Sequence, residues 1–173
     1  FKNVPVISLN AGGLEKNPGF KITPNLIHRS LYGLLYGDLL MSVLYRTRPY
    51  EKIKGSANEL YRKWSDRCID SLKNARKEVF EENIRGIVNE FDSLEITDEI
   101  KPKVGLVGEI LVKYHPLANN NVVNVVEEEG GEAVTPSLTD FLLYCAYNKN
   151  FQYTYGSGSK LAQILGNAAI KIV

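Results

Sequence analysis

Residues 101–148, KPKVGLVGEILVKYHPLANNNVVNVVEEEGGEAVTPSLTDFLLYCAYN, decide the fold that we predict for this chain. An apolar run over 104–110 is followed by a polar loop, a helical segment over 118–129 and a second short apolar run over 132–135. This order is typical of a β-α-β unit, in which a helix joins two parallel strands. Ligands of such sheets collect beyond the carboxyl end of the first strand.

The predicted fold class is therefore α/β. We expect a small parallel Rossmann-like sheet, with strands near residues 4–9, 104–110 and 132–135, wrapped by helices. Residues 1–100 are predicted to hold a strand plus a helical segment, and 101–173 the β-α-β Rossmann-like segment. Because the chain opens without Met and its last helical pattern has no stop signal, we expect one compact lobe cut from a longer protein.

The helical N-terminal half carries local start signals. Thr23 and Pro24 predict the cap and the first turn of a long helix that runs to about Arg46. The tetrapeptide SANE at 56–59 predicts a capping box at the start of the next helix. The aromatic and Gly-Ser segment over 148–159 predicts a loop.

Composition excludes several classes of function. The chain has 21 basic and 20 acidic side chains, so its net charge of +1 predicts no electrostatic binding of nucleic acid or of an anionic membrane. No apolar run is long enough to cross a bilayer, and no signal peptide is recognisable. The two cysteines, Cys68 and Cys145, lie far apart in sequence, which favours a reducing, cytoplasmic location over a disulfide framework.

Three segments carry a family resemblance. They are PVISLN at 5–10, YGDLL at 36–40 with YRTRPYE at 45–51, and VGEI at 107–110 with KYHP at 113–116 and NNN at 119–121. Together they resemble the dehydratase-like part of CoA-substrate-specific enzyme activases, which are relatives of 2-hydroxyglutaryl-CoA dehydratase.

The resemblance implies a reductive chemistry for the parent protein. An ATP-hydrolysing activator passes one electron through an iron–sulfur cluster to a dehydratase component. The Cys-bound cluster of that component, often [4Fe–4S], passes the electron to an acyl-CoA thioester, and the resulting ketyl radical expels a hydroxyl group. Partners implied for this chain are acyl-CoA and the other lobes or subunits of the system.

This chain departs from that pattern in its cysteines and its nucleotide motifs. A cubane cluster needs several thiolates, and only Cys68 and Cys145 are present. No phosphate-loop pattern occurs either. We therefore expect no cofactor in this chain alone, with the cluster and ATP bound elsewhere in the full-length system. Two hypotheses follow: a lobe of a 2-hydroxyacyl-CoA dehydratase-like component, or a non-catalytic scaffold or docking domain within a large activase.

The candidate substrate-binding residues lie after the first strand of the β-α-β unit and at the end of the long helix. Amide and cationic groups there suit a thioester carbonyl, a carboxylate or a CoA phosphate. A structural interpretation stays open: an asparagine caps a helix, the glutamate binds loop amides and the histidine is a surface residue. The candidates are Glu109, Lys113, His115, Asn119, Asn120, Asn121, Arg46 and Arg48.

The two arginines have a second interpretation, because cations at a helix C-terminus also offset the helix dipole. Asp38, within the long helix, is expected to bond a neighbouring backbone or to pair with one of them. Cys145 is a remote candidate for one cluster ligand, and a buried small hydrophobe is the alternative. His28 and His115 are too far apart, without clustered carboxylates, to predict a metal site.

Overall fold

The computed structural model describes residues 23–156 and 158–172. Within these residues the chain forms seven α-helices and two β-strands. The helices are α1 (Pro24–Thr47), α2 (Ser56–Ser71), α3 (Lys77–Asp92), α4 (Ile110–Tyr114), α5 (Val122–Glu128), α6 (Leu138–Thr154) and α7 (Lys160–Ile172), and the strands are β1 (Lys103–Gly105) and β2 (Glu132–Val134).

The hydrophobic core lies between α1, α2 and α3. Each of these helices turns one apolar stripe inward, because residues three and four positions apart share a helix face. The buried residues of this core are Tyr36, Leu40, Leu44, Ala57, Trp64, Cys68, Ile87 and Phe91.

A fully buried polar side chain is satisfied within this core. Asn83 donates from Nδ2 to the Tyr36 hydroxyl at 3.0 Å and accepts from Nε of Arg67 at 2.8 Å. Because an unpaired buried amide would cost about 1–3 kcal/mol, these bonds fix the relative positions of the three helices.

The predicted Rossmann-like sheet is wrong. The described residues contain a two-stranded sheet, in which β1 and β2 pair in parallel with Lys103 opposite Glu132 and Gly105 opposite Val134. Helices account for 68% of these residues, so the observed architecture is mainly helical. The predicted strand at 4–9 lies outside the described residues.

The strand predicted at 104–110 ends at Gly105 for a local reason. Gly108 adopts φ +143°, a backbone conformation that other residues rarely take, and this turns the chain away from the sheet. Glu109 then caps α4, since its carboxylate accepts hydrogen bonds from the backbone N–H of Leu111 at 2.9 Å and of Val112 at 3.4 Å. The apolar run therefore divides into a short strand and a short helix.

Helix α1 begins as predicted, whereas α2 is capped differently. The Thr23 hydroxyl accepts from the Leu26 N–H at 3.1 Å. The predicted capping box at 56–59 is wrong: the Glu51 carboxylate accepts from the N–H groups of Gly55 at 2.6 Å and of Ala57 at 2.8 Å.

Asp38 joins the middle of α1 to the start of α6. Its carboxylate accepts from the backbone N–H of Leu138 at 2.9 Å and of Thr139 at 2.7 Å, and also from the Thr139 hydroxyl. Of the two partners expected from the sequence, a backbone segment is therefore the observed one. The carboxylate offsets the positive end of the α6 dipole and sets the direction in which that helix leaves the core.

Helices α6 and α7 form a closely packed hairpin. A Cβ atom at Gly166 would lie 2.6 Å from the Ala146 carbonyl oxygen, so only glycine permits this approach. Helix α6 continues to Thr154, and the loop predicted at 148–159 is wrong over most of its length. The helix carries an exposed aromatic stripe formed by Tyr144, Tyr147 and Phe151, which Tyr155 continues just after the last residue of the helix. None of the helices in the described ranges is long and apolar enough to span a membrane.

Candidate functional site

A cleft of about 330 Å³ lies between the end of α1, the first turns of α2 and the segment that leads from α4 into α5. We call it the α1–α5 cleft. The side chains around it are mostly polar, and the described part of its wall contains no carboxylate, histidine or cysteine. Its lining residues are Leu44, Tyr45, Arg48, Asn58, Tyr61, Arg62, Lys113, Tyr114, Pro116, Asn119, Asn121, Val123 and Asn124.

Arg48 holds the two sides of the α1–α5 cleft together. Its guanidinium group forms a bidentate pair with Glu127, at 2.7 Å from Nε and 2.9 Å from Nη2. It also donates to the side-chain oxygen of Asn58 at 3.3 Å. Bidentate pairing with a carboxylate is the strongest geometry open to arginine, so most of the Arg48 charge is neutralised inside the protein.

The three asparagines at 119–121 stabilise the turn between α4 and α5. Asn119 donates from Nδ2 to the carbonyl oxygens of Val112 at 2.9 Å and Lys113 at 3.4 Å, and its Oδ1 accepts from the Val122 N–H at 3.3 Å. Asn120 and Asn121 both adopt left-handed backbone conformations, with φ of +55° and +54°. Asparagine tolerates that region better than other residues with a Cβ, which explains the triplet without a ligand.

Two cations of the cleft wall keep their charge available. Arg62, on α2, and Lys113, on α4, form no ion pair or side-chain hydrogen bond with any other residue that the structure describes. The ammonium group of Lys113 lies 5.1 Å from the centre of the Tyr114 ring, and the Tyr114 hydroxyl donates to the Pro136 carbonyl at 2.5 Å. The wall therefore offers positive charge to a ligand with negative groups.

Burial governs the phenol groups around these cations. Burial is the main cause that raises the pKa of Tyr45, and the nearby Arg48 charge opposes it. Burial likewise raises the pKa of Tyr114, with the Asp38 and Asp140 charges adding to the effect. Both side chains are therefore neutral hydroxyl groups at pH 7, and they serve as hydrogen-bond partners and apolar walls.

Half of the predicted site residues meet in the α1–α5 cleft. Glu109 lies elsewhere and caps α4, and His115 is an exposed residue of the loop. Asn120 lines a neighbouring cavity of about 430 Å³, whereas Arg46 lines a different cavity beside β2. The predicted residues that line the cleft are Arg48, Lys113, Asn119 and Asn121.

Sequence reasoning missed Arg62, Tyr61 and Asn58, which reach the cleft from α2. No local signal distinguishes Arg62 from the other exposed cations of the helix surface. Its position follows from the crossing of α2 over the end of α1, which is a tertiary property.

The described residues do not fit an iron–sulfur cluster. No group of three or more His, Cys, Asp and Glu side chains among them is placed to hold a metal ion. Cys68 is buried in the helical core, and this burial raises its pKa to about 11, so the thiol stays protonated at neutral pH. Cys145, on α6, is a free cysteine of intermediate exposure.

Comparisons with family models, curated proteins and solved structures found no match to this chain. The resemblance to CoA-substrate-specific enzyme activases stays a prediction from the sequence segments quoted above.

Proposed function

We propose that this chain is an acyl-CoA-binding lobe of a 2-hydroxyacyl-CoA dehydratase-like component, within an ATP-driven, iron–sulfur-dependent reductive system. In this proposal the lobe holds the ligand and other parts of the parent protein supply the cluster and the nucleotide chemistry. The observation that carries it is the α1–α5 cleft, whose described wall presents two cations without a paired carboxylate, Arg62 and Lys113, and contains no carboxylate of its own.

The chemistry of the cleft supports a ligand with phosphate groups and a planar ring. Unpaired cations bind phosphate oxygens through charge-assisted hydrogen bonds. The rings of Tyr45, Tyr61 and Tyr114 provide flat apolar surface beside those cations. A volume of about 330 Å³ lies at the lower end of the range for ligand pockets, so the cleft suits the nucleotide end of acyl-CoA rather than the whole molecule.

A binding role without catalysis is supported by the groups present. The described lining residues include no nucleophile next to a general base, which acyl transfer would need. Their cations and amides are suited to orienting a bound thioester handle. The chemical step would then belong to residues of a neighbouring lobe.

A second candidate function is a scaffold or docking domain of a large activase. The specific observation in its favour is that predicted ligand-binding groups are used inside the chain, with Glu109 capping α4 and Asn119 bridging to Val112. The exposed aromatic stripe on α6 also supplies surface for packing against another lobe.

Calorimetric titration with CoA and acetyl-CoA tests the binding proposal. We expect saturable binding that weakens as salt rises, because the contacts are ionic. Arg62→Ala and Lys113→Ala should each weaken binding about tenfold or more, as expected for a lost hydrogen bond to a charged group. Arg85→Ala is the matched control, since Arg85 is an exposed helical arginine that does not line the cleft.

The outcomes separate the two candidates. If CoA does not bind, or if all three variants bind it equally, the acyl-CoA proposal fails and the scaffold function is favoured. Anaerobic reconstitution with iron and sulfide supplies an independent check, because a stoichiometric cluster on the isolated chain would contradict a lobe that only binds substrate.

A further inference from the structure

A second cavity, of about 300 Å³, lies where α1 passes over β2. We call it the β2 cavity. On α1 it is lined by Ser42, Tyr45 and Arg46, whose spacing of three and four residues places them on one helix face. The opposite wall consists of Lys103, Glu132, Ala133, Val134 and Thr135. This cavity lies apart from the α1–α5 cleft and shares only Tyr45 with its lining.

One polar atom of this wall lacks a partner. The Thr135 hydroxyl oxygen is buried and forms no hydrogen bond with any residue that the structure describes. A buried hydroxyl without a partner is unfavourable, and Thr135 itself lines the cavity, so an occupant that accepts a hydrogen bond from this hydroxyl would stabilise the site.

The charges around the β2 cavity favour an anion. Arg46 forms no ion pair with another described residue. Glu132 is the opposing group, but its carboxylate already accepts a hydrogen bond from the Tyr50 hydroxyl at 2.7 Å and lies 3.6 Å from Nζ of Lys103. Two cations and one carboxylate leave the described wall with a net charge of +1.

We propose that the β2 cavity is a phosphate-binding subsite. Arg46 and Lys103 supply the positive charge, and the hydroxyl groups of Ser42 and Thr135 donate hydrogen bonds to the phosphate oxygens. The inference stands on this cavity alone and does not need the α1–α5 cleft to bind CoA. It also gives Arg46, at the end of α1, a use other than offsetting the helix dipole.

Titration followed by ³¹P NMR tests the subsite on the whole chain, with inorganic phosphate and adenosine 3′-monophosphate as probes. We expect saturable binding of at least one probe, and the tighter one identifies whether the phosphate is free or carried by a larger molecule. Thr135→Val removes the hydroxyl and keeps the branched shape, and Arg46→Gln removes the charge. Each should weaken binding about tenfold, because each removes a hydrogen bond to a charged group.

Two matched control variants lie outside the β2 cavity. Thr97→Val removes the other buried hydroxyl that lacks a partner among the described residues, and Thr97 does not line the cavity. Arg85→Gln removes an exposed helical arginine elsewhere. Neither should change phosphate binding. Thermal unfolding checks whether Thr135→Val is folded. Arg46→Gln changes an exposed side chain and therefore tests the subsite independently of the stability of Thr135→Val. The absence of saturable binding, or equal effects of Thr135→Val and Thr97→Val, would overturn the proposal.

Discussion

Replacing Asp38 by alanine should remove the hydrogen bonds that attach the start of α6 to α1, and so lower the free energy of unfolding. The Asp38 carboxylate accepts the backbone N–H groups of Leu138 and Thr139 and the Thr139 hydroxyl, across about 100 residues of chain. These are the donors that a helix N-terminus leaves without intrahelical partners. Ser137 remains as a second cap in the variant, since its hydroxyl accepts from the Asp140 N–H at 2.8 Å.

The magnitude follows from the kind of bonds that are lost. A hydrogen bond to a charged group contributes about 1.5–3 kcal/mol, and a carboxylate at a helix N-terminus about 0.3–1 kcal/mol. The bonds share one partly buried carboxylate and are therefore not additive. We expect Asp38→Ala to lower the free energy of unfolding by about 2–4 kcal/mol, and Asp38→Asn by about 1–2 kcal/mol, because one carbonyl oxygen remains.

Urea unfolding followed by far-UV circular dichroism measures this change. Asp66→Ala is the matched control, because Asp66 is an exposed helical aspartate and carries the same gain in helix propensity without a capping bond among the described residues. A double-mutant cycle with Thr139→Ala should give a coupling energy of at least about 0.5 kcal/mol. The reasoning is refuted if Asp38→Ala stays within about 0.5 kcal/mol of Asp66→Ala, or if the cycle is additive.

Three other predictions concern packing, ionisation and the cleft. Gly37→Ala should raise the free energy of unfolding by about 0.5–1 kcal/mol, because its Cβ would meet no described heavy atom within 4 Å. Gly86→Ala should lower the free energy of unfolding by about 1–3 kcal/mol, because its Cβ would lie 2.3 Å from the Trp64 ring. Chemical denaturation measures both changes. Burial raises the pKa of Cys68 from 9.0 to about 11, so the thiol of the unfolded chain ionises at a lower pH than the thiol of the folded chain. The free energy of unfolding should therefore fall between pH 9 and pH 11. In Cys68→Ala, the free energy of unfolding should depend less steeply on pH in that interval. Glu127→Gln breaks the bidentate arginine pair and should lower the free energy of unfolding by about 1–3 kcal/mol in urea titrations, and an unchanged value would contradict its clamping role.

Local signals in the sequence predicted some element boundaries. The start of α1 is set by Thr23 and Pro24, which act within one turn of chain. The strand predicted over the apolar run at 104–110 was wrong in extent, because periodicity alone does not distinguish a short buried strand from a short helix. The turn at Gly108 takes the chain away from the sheet, and Glu109 then caps α4, so the run does not form one long strand.

The candidate site depended on partners that are distant in sequence. From the sequence, we favoured an Arg48 that offsets the helix dipole over one that clamps a phosphate. Its observed partner, Glu127, lies 79 residues away and was not predicted. Arg62 reaches the cleft from another helix, and nothing in its immediate sequence marks it. The asparagines at 119–121 were predicted as ligand-binding groups, and their observed roles are the left-handed turn at Asn120 and Asn121 and the bond from Asn119 to the Val112 carbonyl.

Tyr45 lines both the α1–α5 cleft and the β2 cavity. If an occupant of one cavity shifts Tyr45, the other cavity changes as well, and thermodynamic linkage makes the effect on the two affinities equal in both directions. Buffer composition then becomes an experimental variable. If both cavities bind as proposed, the affinity of a nucleotide-like molecule in saturating phosphate should differ from its affinity in a phosphate-free buffer by the same factor with which the nucleotide changes the affinity for phosphate.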